Sequence, residues 1–315
     1  MEVMLLNLGI LAGGFVLLIK GADFFVKGAS TIARILGVPQ IVIGLTVVAM
    51  GTSAPEAAVS ISAAVSQNAD ITIGNVVGSN IMNILVILGF TALIAPIAVD
   101  RSAIRIDMPF LLGSSILLMI VGFIREDVDR MEGLLLLTIF TVYMIYLFRR
   151  SLKDSKEKED LRPTYGQGNL WMILWTILGL VMIVGGSKLI VHGASEIALW
   201  FGVSQRLVAL TIVAFGTSLP ELVTSVTAAR RGHTDLAIGN IVGSNIFNIL
   251  FVTGLTAVLT PIAFRSAFMI DALIAALSAL VLWLFSLRSG RLGRVCGGFM
   301  LICYAGYFTY ILLLK

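Results

Sequence analysis

Residues 51–83 read GTSAPEAAVSISAAVSQNADITIGNVVGSNIMN, and residues 216–248 read GTSLPELVTSVTAARRGHTDLAIGNIVGSNIFN. The two stretches align without an insertion, each residue of the first lying 165 positions before its counterpart. Each contains one glutamate, Glu56 or Glu221, together with hydroxyl and amide side chains, proline and glycine in otherwise apolar sequence. A polar motif of this kind, present twice, indicates a duplicated functional element.

The composition is that of an integral membrane protein. Hydrophobic residues make up 58% of the chain and charged residues 13%, with a mean hydropathy of +1.01. A soluble domain carries about 25% charged residues. This chain has too few of them to cover the surface of a globular protein. We therefore expect a lipid bilayer as its surroundings. The net charge of +4 is attributed to cytoplasmic loops, and we expect no nucleic-acid partner.

The hydropathy pattern predicts ten membrane-spanning helices, each with about the 20 residues needed to cross a bilayer. The predicted spans are 4–28, 37–65, 70–94, 104–123, 132–149, 169–192, 203–229, 234–259, 268–286 and 293–314. The only long polar stretch, residues 151–168, is predicted to be a cytoplasmic linker between a first half, 1–150, and a second half, 169–315.

The repeat extends beyond the two motifs, since Gly21 matches Gly186 and Pro96 matches Pro261 at the same offset. A second copy of a five-helix unit must enter the membrane from the opposite side. The sequence therefore predicts an all-α membrane fold of ten helices in two inverted five-helix repeats with discontinuous core helices. Inverted repeats are typical of secondary transporters, which bind substrate near the midplane between the repeats.

The loop charges predict the orientation. With both termini outside, 16 Lys and Arg residues fall on the inside and 6 on the outside. Cytoplasmic loops carry an excess of these residues. We therefore expect a multi-pass protein of the cytoplasmic membrane with the N-terminus and the C-terminus outside.

Glu56 and Glu221 lie inside predicted spans, well away from both ends. A charge at bilayer depth costs about 2.5 kcal/mol or more even on the mildest scale. A lone buried glutamate would take up a proton, and two close together would repel each other. A bound cation removes both problems. A protonated structural glutamate is the alternative for either residue alone, but duplication of both with their surroundings favours a cation site.

The neighbouring polar side chains offer oxygen atoms, and no histidine or cysteine lies among them. Oxygen-only sites suit hard cations such as Ca2+ and Na+ rather than zinc or copper. The surrounding set comprises Thr52, Ser53, Thr217 and Ser218 beside the glutamates, and Ser79, Asn80, Asn83, Ser244, Asn245 and Asn248 in the following spans.

Backbone oxygens are expected where the second and seventh helices break. Pro55 and Pro220 cannot donate to the helical ladder, and each crowds the carbonyl four residues earlier, at Gly51 or Gly216. We expect free carbonyl oxygens at these breaks. Each glutamate would then begin the second half-helix, where the positive end of the helix dipole stabilises its anion.

The motif GTSxPE followed by GNxxGSNxxN, present twice in ten spans, resembles the α-repeats of the calcium/cation antiporter superfamily, and most closely those of prokaryotic sodium/calcium exchangers. The resemblance covers nearly the whole chain. It implies ten transmembrane helices in two inverted halves. It also implies a secondary active antiporter that exchanges Ca2+ for Na+, or in other branches for H+, through one alternating-access cavity.

By the same resemblance, Glu56 and Glu221 are expected to be the central Ca2+ ligands. The other residues expected to line the calcium and flanking sodium sites are Thr52, Thr217, Ser53, Ser218, Ser79 and Ser244, with the carbonyls of Ala49 and Ala214. Asn83 and Asn248 complete the predicted metal set. Several exchangers of this family carry an aspartate at one of these two positions, so this cavity holds two carboxylates and not three.

Three other functions are alternatives to Ca2+/Na+ exchange. The nearest is a Ca2+/H+ antiporter that uses the same glutamate pair. A cation channel would need a continuous pore, and nothing in the sequence resembles a selectivity filter. An intramembrane hydrolase is disfavoured because the chain has no HExxH motif and no histidine beside Ser79 or Ser244. We therefore expect no enzymatic activity and no cofactor, only Ca2+ and Na+ as transported ions; the oligomeric state stays open.

The remaining acidic residues are expected to be structural. Asp107 and Asp271 lie near the starts of predicted spans and are expected at the membrane interface. Asp23 and Lys27 are four residues apart, which predicts an ion pair on one helix face.

Overall fold

The computed structural model describes residues 2–65, 69–125, 127–157, 169–202, 214–264 and 267–314, and these residues are almost entirely helical. The helices of the first half are α1 (Glu2–Leu36), α2 (Gln40–Ile43), α3 (Ala49–Thr52), α4 (Ala54–Val65), α5 (Ala69–Met82), α6 (Gly89–Ile94), α7 (Met108–Arg125) and α8 (Arg130–Glu157). Those of the second half are α9 (Asn169–Trp200), α10 (Ala214–Thr217), α11 (Leu219–Arg230), α12 (Thr234–Ile246), α13 (Thr253–Leu259), α14 (Ala267–Ser289) and α15 (Arg294–Leu314).

Several spans contain a wider π-helical turn. The backbone stays continuous through such a turn, but its hydrogen bonds join residues five apart and not four. These turns are π1 (Gly44–Val48), π2 (Asn83–Leu88), π3 (Ala103–Asp107) and π4 (Phe247–Val252). Two of them contain a predicted metal-site asparagine, since π2 begins at Asn83 and π4 includes Asn248. Such turns occur mostly as single insertions in α-helices and are frequent at functional sites.

In the part of the chain that the structure describes, seven helices are long and apolar enough to cross a membrane. The segments Gln40–Thr52 and Ala54–Val65, which meet at an angle of 49°, are together long and apolar enough for an eighth span. Of the predicted seventh span, 203–229, residues 203–213 lie outside the described part. The multi-pass membrane fold is thus established, and the count of ten spans stays a prediction.

Three helices, α1, α8 and α9, run well beyond the ends that hydropathy predicted, and α9 ends at Trp200 where residue 192 was expected. The first continues eight residues beyond the expected end at residue 28 and closes at Gly37, whose φ of 65° provides the left-handed turn of a Schellman motif. The amide of Val38 donates to the carbonyl of Ala33 at 2.9 Å, as this motif requires. Residues 151–157 of the predicted linker 151–168 continue α8, and 158–168 lie outside the described residues.

Among the described residues, four short strands depart from the purely helical expectation. Strand β1 (Ile97–Ala98) pairs with β4 (Arg291–Leu292), and β2 (Asp127–Val128) pairs with β3 (Ile262–Ala263), both antiparallel. Each pair joins a loop of one half to a loop of the other. Paired loops must lie on the same side of the membrane, so an even number of crossings separates them, in agreement with the predicted topology.

The helices divide into a buried centre and a peripheral pair. In the most apolar part of the span Thr72–Ile94, 72% of the residues are buried, and in that of Thr234–Leu259, 83% are buried. The corresponding fractions are 22% in α1 and 33% in the span Trp171–Trp200 of α9. The spans that carry the GNxxGSNxxN motifs therefore form the core of the molecule. Helices α1 and α9 lie at its edge and pack mainly against each other.

Glycines bring α1 and α9 into direct backbone contact. A Cβ atom placed on Gly14 would lie 2.9 Å from the carbonyl oxygen of Gly186, and one on Gly21 would lie 2.8 Å from that of Gly179. Gly14 corresponds to Gly179, and Gly21 to Gly186, at the offset of the repeat. The contact is therefore symmetric between the halves, and at these four positions any larger residue meets backbone atoms.

Asp107 and Asp271, which were expected near the membrane interface, are both buried against neighbouring helices. Asp107 is fully buried, where it accepts a hydrogen bond from the Tyr143 hydroxyl at 3.0 Å and pairs with Arg150 at 3.3 Å. Asp271 is also buried and accepts a hydrogen bond from Tyr307 at 3.1 Å. Hydrogen-bond partners on the following helix reduce the cost of burying these carboxylates. Each carboxylate thereby links its own helix to the next one.

Candidate cation site

The second span is interrupted at Ser53 and its counterpart in the other half at Ser218. Both serines leave helical geometry, with φ and ψ of −83° and 6° at Ser53 and −90° and 3° at Ser218. Pro55 and Pro220 are the second residues of α4 and α11, where the missing N–H costs no helical hydrogen bond. Glu56 therefore lies in the first turn of a half-helix, as expected.

Each glutamate is held by a serine from the other half of the chain. The Ser53 hydroxyl donates to Oε1 of Glu221 at 2.8 Å, and the Ser218 hydroxyl donates to Oε1 of Glu56 at 3.1 Å. Glu56 is 1% exposed and Glu221 is fully buried, and the two carboxylates are close enough to repel each other. The predicted pair is thus brought together at the centre of the protein.

Other predicted site residues surround this pair. Thr217 lies next to Glu56, and Thr52 and Ser244 lie next to Glu221. The Ser244 hydroxyl also approaches the carbonyl oxygen of Ala49, at 3.5 Å. Ala214 lies in α10, two residues before Gly216.

One carbonyl expected to be free is occupied. The Ser187 hydroxyl, on α9, donates to the carbonyl oxygen of Gly216 at 2.6 Å. Proline at position 220 does prevent the helical hydrogen bond to this oxygen, but a neighbouring helix supplies a replacement donor. Because α9 is remote in sequence, the local pattern did not reveal that donor.

Two further asparagines contribute to the site and were not predicted. The Asn75 side-chain amide donates to the backbone carbonyl of Glu56 at 3.0 Å and to Ser60 at 2.9 Å. Asn240 repeats this arrangement with the carbonyl of Glu221 at 3.4 Å and with Ser225 at 3.0 Å. Asn75 and Asn240 are the second residues of the two GNxxGSN motifs, so the duplication was the signal that could have identified them.

Four asparagines join the halves in a closed network of amides. The Asn80 amide donates to the backbone carbonyl of Asn245 at 3.3 Å, and the Asn245 amide donates to that of Asn80 at 3.1 Å. Asn83 donates to Oδ1 of Asn245 at 2.9 Å. Asn248 donates to Oδ1 of Asn80 at 3.4 Å and to the Ser79 hydroxyl at 3.3 Å.

Four oxygens of the site have no hydrogen-bond donor among the described residues although they are completely buried. They are Oε2 of Glu56, Oε2 of Glu221, Oδ1 of Asn83 and Oδ1 of Asn248. Buried polar atoms are normally paired, and leaving one unpaired costs about 1–3 kcal/mol. Two of these oxygens come from each half, and carboxylate and amide oxygens are of the type that hard cations prefer.

A cavity of about 1090 Å³ lies away from the glutamates at the end of α1, and its lining includes Lys27, Arg34 and Asp235. Beside it, Asp23 pairs with Arg231, at 2.7 Å, and not with Lys27 as its spacing had predicted. The turn between α11 and α12 brings Arg231 over α1, and this tertiary contact replaces the local one.

The chain matches the model of the family described as sodium/calcium exchanger protein over residues 6–149 and 171–313. The chain belongs to this family. Its members are transporters, so this is a multi-pass membrane protein of the cation antiporter class. The match is split into two segments, one on each side of the polar stretch 151–168.

Two relatives and a solved structure illustrate the similarity of this exchanger-family protein. It is 35% identical to the inner membrane protein YrbG of Escherichia coli, over 91% of this chain and 92% of that one. It is 34% identical to the sodium/calcium exchanger MaX1 of Methanosarcina acetivorans, over 97% and 98%. The structure of the sodium-calcium exchanger NCX_Mj, soaked with Na+ and Sr2+, matches with a TM-score of 0.87 and 31% identity over 99% of both chains.

Proposed function

We propose that this protein exchanges Ca2+ for Na+ across the cytoplasmic membrane by alternating access, with Glu56 and Glu221 as the central ligands. The observation that carries the proposal is the set of four buried oxygens without a donor, two from each half. Each glutamate uses Oε1 for a serine of the opposite half and keeps Oε2 free. A cation between the halves would satisfy all four oxygens.

The charge of the site favours a divalent ion. Two carboxylates balance the charge of one Ca2+, whereas either glutamate ionised without a cation would bear the cost of a charge in a low-dielectric interior. Ca2+ accepts about 6–8 oxygen ligands in flexible geometry and readily uses amide and backbone carbonyls. Carboxylate and asparagine oxygens, with nearby hydroxyls and the carbonyl of Ala49, supply ligands of this type.

Na+ would compete for overlapping oxygens. The hydroxyls of Thr52, Thr217, Ser53, Ser218, Ser79 and Ser244, and the carbonyls of Ala49 and Ala214, would line both the calcium site and the flanking sodium sites. Occupation by either ion would neutralise the carboxylates and permit reorientation. A ligand can shift such an equilibrium only through its differential affinity for the two states.

The architecture suits this cycle. In the proposed arrangement the halves 1–150 and 169–315 are inverted five-helix repeats joined by a cytoplasmic linker, 151–168, and both termini are outside. The peripheral helices α1 and α9 would slide along the core and expose the site to either side in turn. That MaX1 and NCX_Mj are both named sodium/calcium exchangers supports extending this activity to the present chain.

The decisive experiment is tracer Ca2+ uptake by proteoliposomes loaded with Na+ and diluted into sodium-free buffer. We expect uptake that requires the outward Na+ gradient and stops when a sodium ionophore dissipates it. A second set of sodium-free vesicles carries only a pH gradient. Uptake driven by the pH gradient alone would replace the proposal with Ca2+/H+ antiport, and currents far above transporter turnover would indicate a channel.

Removing either serine hydroxyl that holds a glutamate should weaken Ca2+ binding. A hydrogen bond to a charged group contributes about 1.5–3 kcal/mol, so we expect Ser53→Ala and Ser218→Ala each to raise the Kd for Ca2+ roughly 10- to 100-fold. Equilibrium binding of radioactive Ca2+ to the purified protein measures this change.

Ser278→Ala is the matched control, because that hydroxyl bonds the Ile274 carbonyl of its own helix. We expect its Kd to equal that of the unmodified protein. A Kd unchanged in Ser53→Ala and Ser218→Ala would contradict the cross-repeat role of these serines.

A further inference from the structure

We infer that Asn80 and Asn245 are positioning residues: they orient the amides of Asn83 and Asn248 so that both present oxygen, and not nitrogen, to the transported cation. This inference rests on the proposed function, because it concerns how the same site binds its ion. All four residues are at most 2% exposed, so water cannot take over the hydrogen bonds that each amide makes.

The orientation follows from the backbone outward. A backbone carbonyl can only accept a hydrogen bond, so Asn80 and Asn245 must each direct Nδ2 to the carbonyl of the other. Their Oδ1 atoms consequently point away from that contact, and these oxygens can only accept. The reciprocal pair therefore fixes both of its own amides without reference to any other side chain.

The next step fixes the asparagines of the site. Asn83 faces Oδ1 of Asn245, and Asn248 faces Oδ1 of Asn80, so each must turn its Nδ2 toward that oxygen. The Ser79 hydroxyl donates its proton to the carbonyl of Asn75 at 2.7 Å, so its oxygen accepts the hydrogen bond from Nδ2 of Asn248. This contact favours the same orientation of the Asn248 amide. In both asparagines the remaining atom is Oδ1, which has no donor among the described residues.

The consequence is chemical. A flipped amide would present an NH2 group, whose partial positive charge repels a cation, in place of a carbonyl oxygen that coordinates it. An aspartate would present oxygen in either orientation and would need no such control. In this chain, where both positions are asparagine, Asn80 and Asn245 make two neutral side chains serve as cation ligands.

The test is a double-substitution cycle that combines Asn245→Leu with Asn83→Asp. With Asn83 unchanged, Asn245→Leu removes the acceptor that holds the amide, and we expect the Kd for Ca2+ to rise at least tenfold. Added to the Asn83→Asp protein, the same substitution should change the Kd less than threefold, since a carboxylate presents oxygen either way. A purely structural role for Asn245 would give the same loss in both backgrounds.

Binding of radioactive Ca2+ to purified protein at a fixed low Na+ concentration provides the four dissociation constants. Thr91→Val is the control: this buried hydroxyl bonds Ile87 of its own helix, and its loss should leave the Kd within twofold. The mirror cycle, Asn80→Leu with Asn248→Asp, repeats the measurement if Asn245→Leu does not fold.

The outcomes separate the two proposals. An equal rise in the Kd for Ca2+ in both backgrounds, or no rise in Asn245→Leu, would overturn the positioning role. Neither result would contradict the proposal that the protein exchanges Ca2+. Absence of Ca2+ binding by the unmodified protein overturns the proposed function and, with it, this inference.

Discussion

Glu56→Gln is expected to abolish Ca2+ binding and exchange while leaving the protein folded. Glutamine keeps the size of the side chain and an oxygen able to accept the hydrogen bond from Ser218, but it removes one of the two charges that balance the ion. The interaction of two unit charges at 4 Å is worth about 4 kcal/mol at an effective dielectric constant of 20, and Ca2+ carries two charges. We therefore expect the Kd to rise roughly a thousandfold or more.

The measurement is equilibrium Ca2+ binding together with Na+-driven uptake in proteoliposomes. Glu221→Gln should behave in the same way, because Ser53 holds that carboxylate from the opposite half. Glu196→Gln is the matched control, since this glutamate is exposed on α9, unlike the two buried carboxylates, and its substitution should not affect either quantity. A Glu56→Gln protein that binds Ca2+ within tenfold of the unmodified one would refute the central assignment.

Gly186→Ala is expected to slow exchange at least tenfold, whereas Gly185→Ala should have no effect. A Cβ at Gly186 would lie 2.7 Å from both the carbonyl oxygen of Gly14 and the backbone nitrogen of Leu18. These backbone atoms belong to α1 and cannot move independently of it, so the methyl group must separate α1 from α9. Overpacking of this kind costs typically about 1–3 kcal/mol.

The neighbouring glycine makes the comparison direct, because a Cβ at Gly185 has no atom within 4 Å. Both substitutions change helix propensity equally, but only the Cβ atom at position 186 would contact α1. Initial rates of Ca2+ uptake per reconstituted protein, with Kd measured in parallel, separate movement from binding. Equal rates in the two variants would show that close contact between α1 and α9 is not required for transport.

Much of the site was predictable because its determinants are local. Proline at positions 55 and 220 interrupts a helix wherever it occurs, and the break placed Glu56 and Glu221 in the first turn of a half-helix, as expected. The duplication then indicated that the two glutamates are equivalent. No knowledge of packing was needed for either step.

The contacts that complete the site were not predictable in the same way. Ser53 holds Glu221 across 168 positions of sequence, and Ser187 occupies the Gly216 carbonyl across 29. Asp23 had a suitable partner four residues away at Lys27, yet it pairs with Arg231, 208 positions distant. Spacing in the sequence cannot decide between partners when both carry the required charge.

By itself, the sequence determined a membrane protein with a duplicated polar motif, one glutamate in each copy and a helix that breaks beside it. Hydropathy, the effect of proline on a helix and the internal repeat depend only on the order of residues, so they can be recognised in the sequence. Only the tertiary structure decided which oxygens have donors and which are left for an ion. That distinction depends on how the halves meet, because amides such as Asn80 and Asn245 acquire their orientation from each other's backbone and not from their own neighbours.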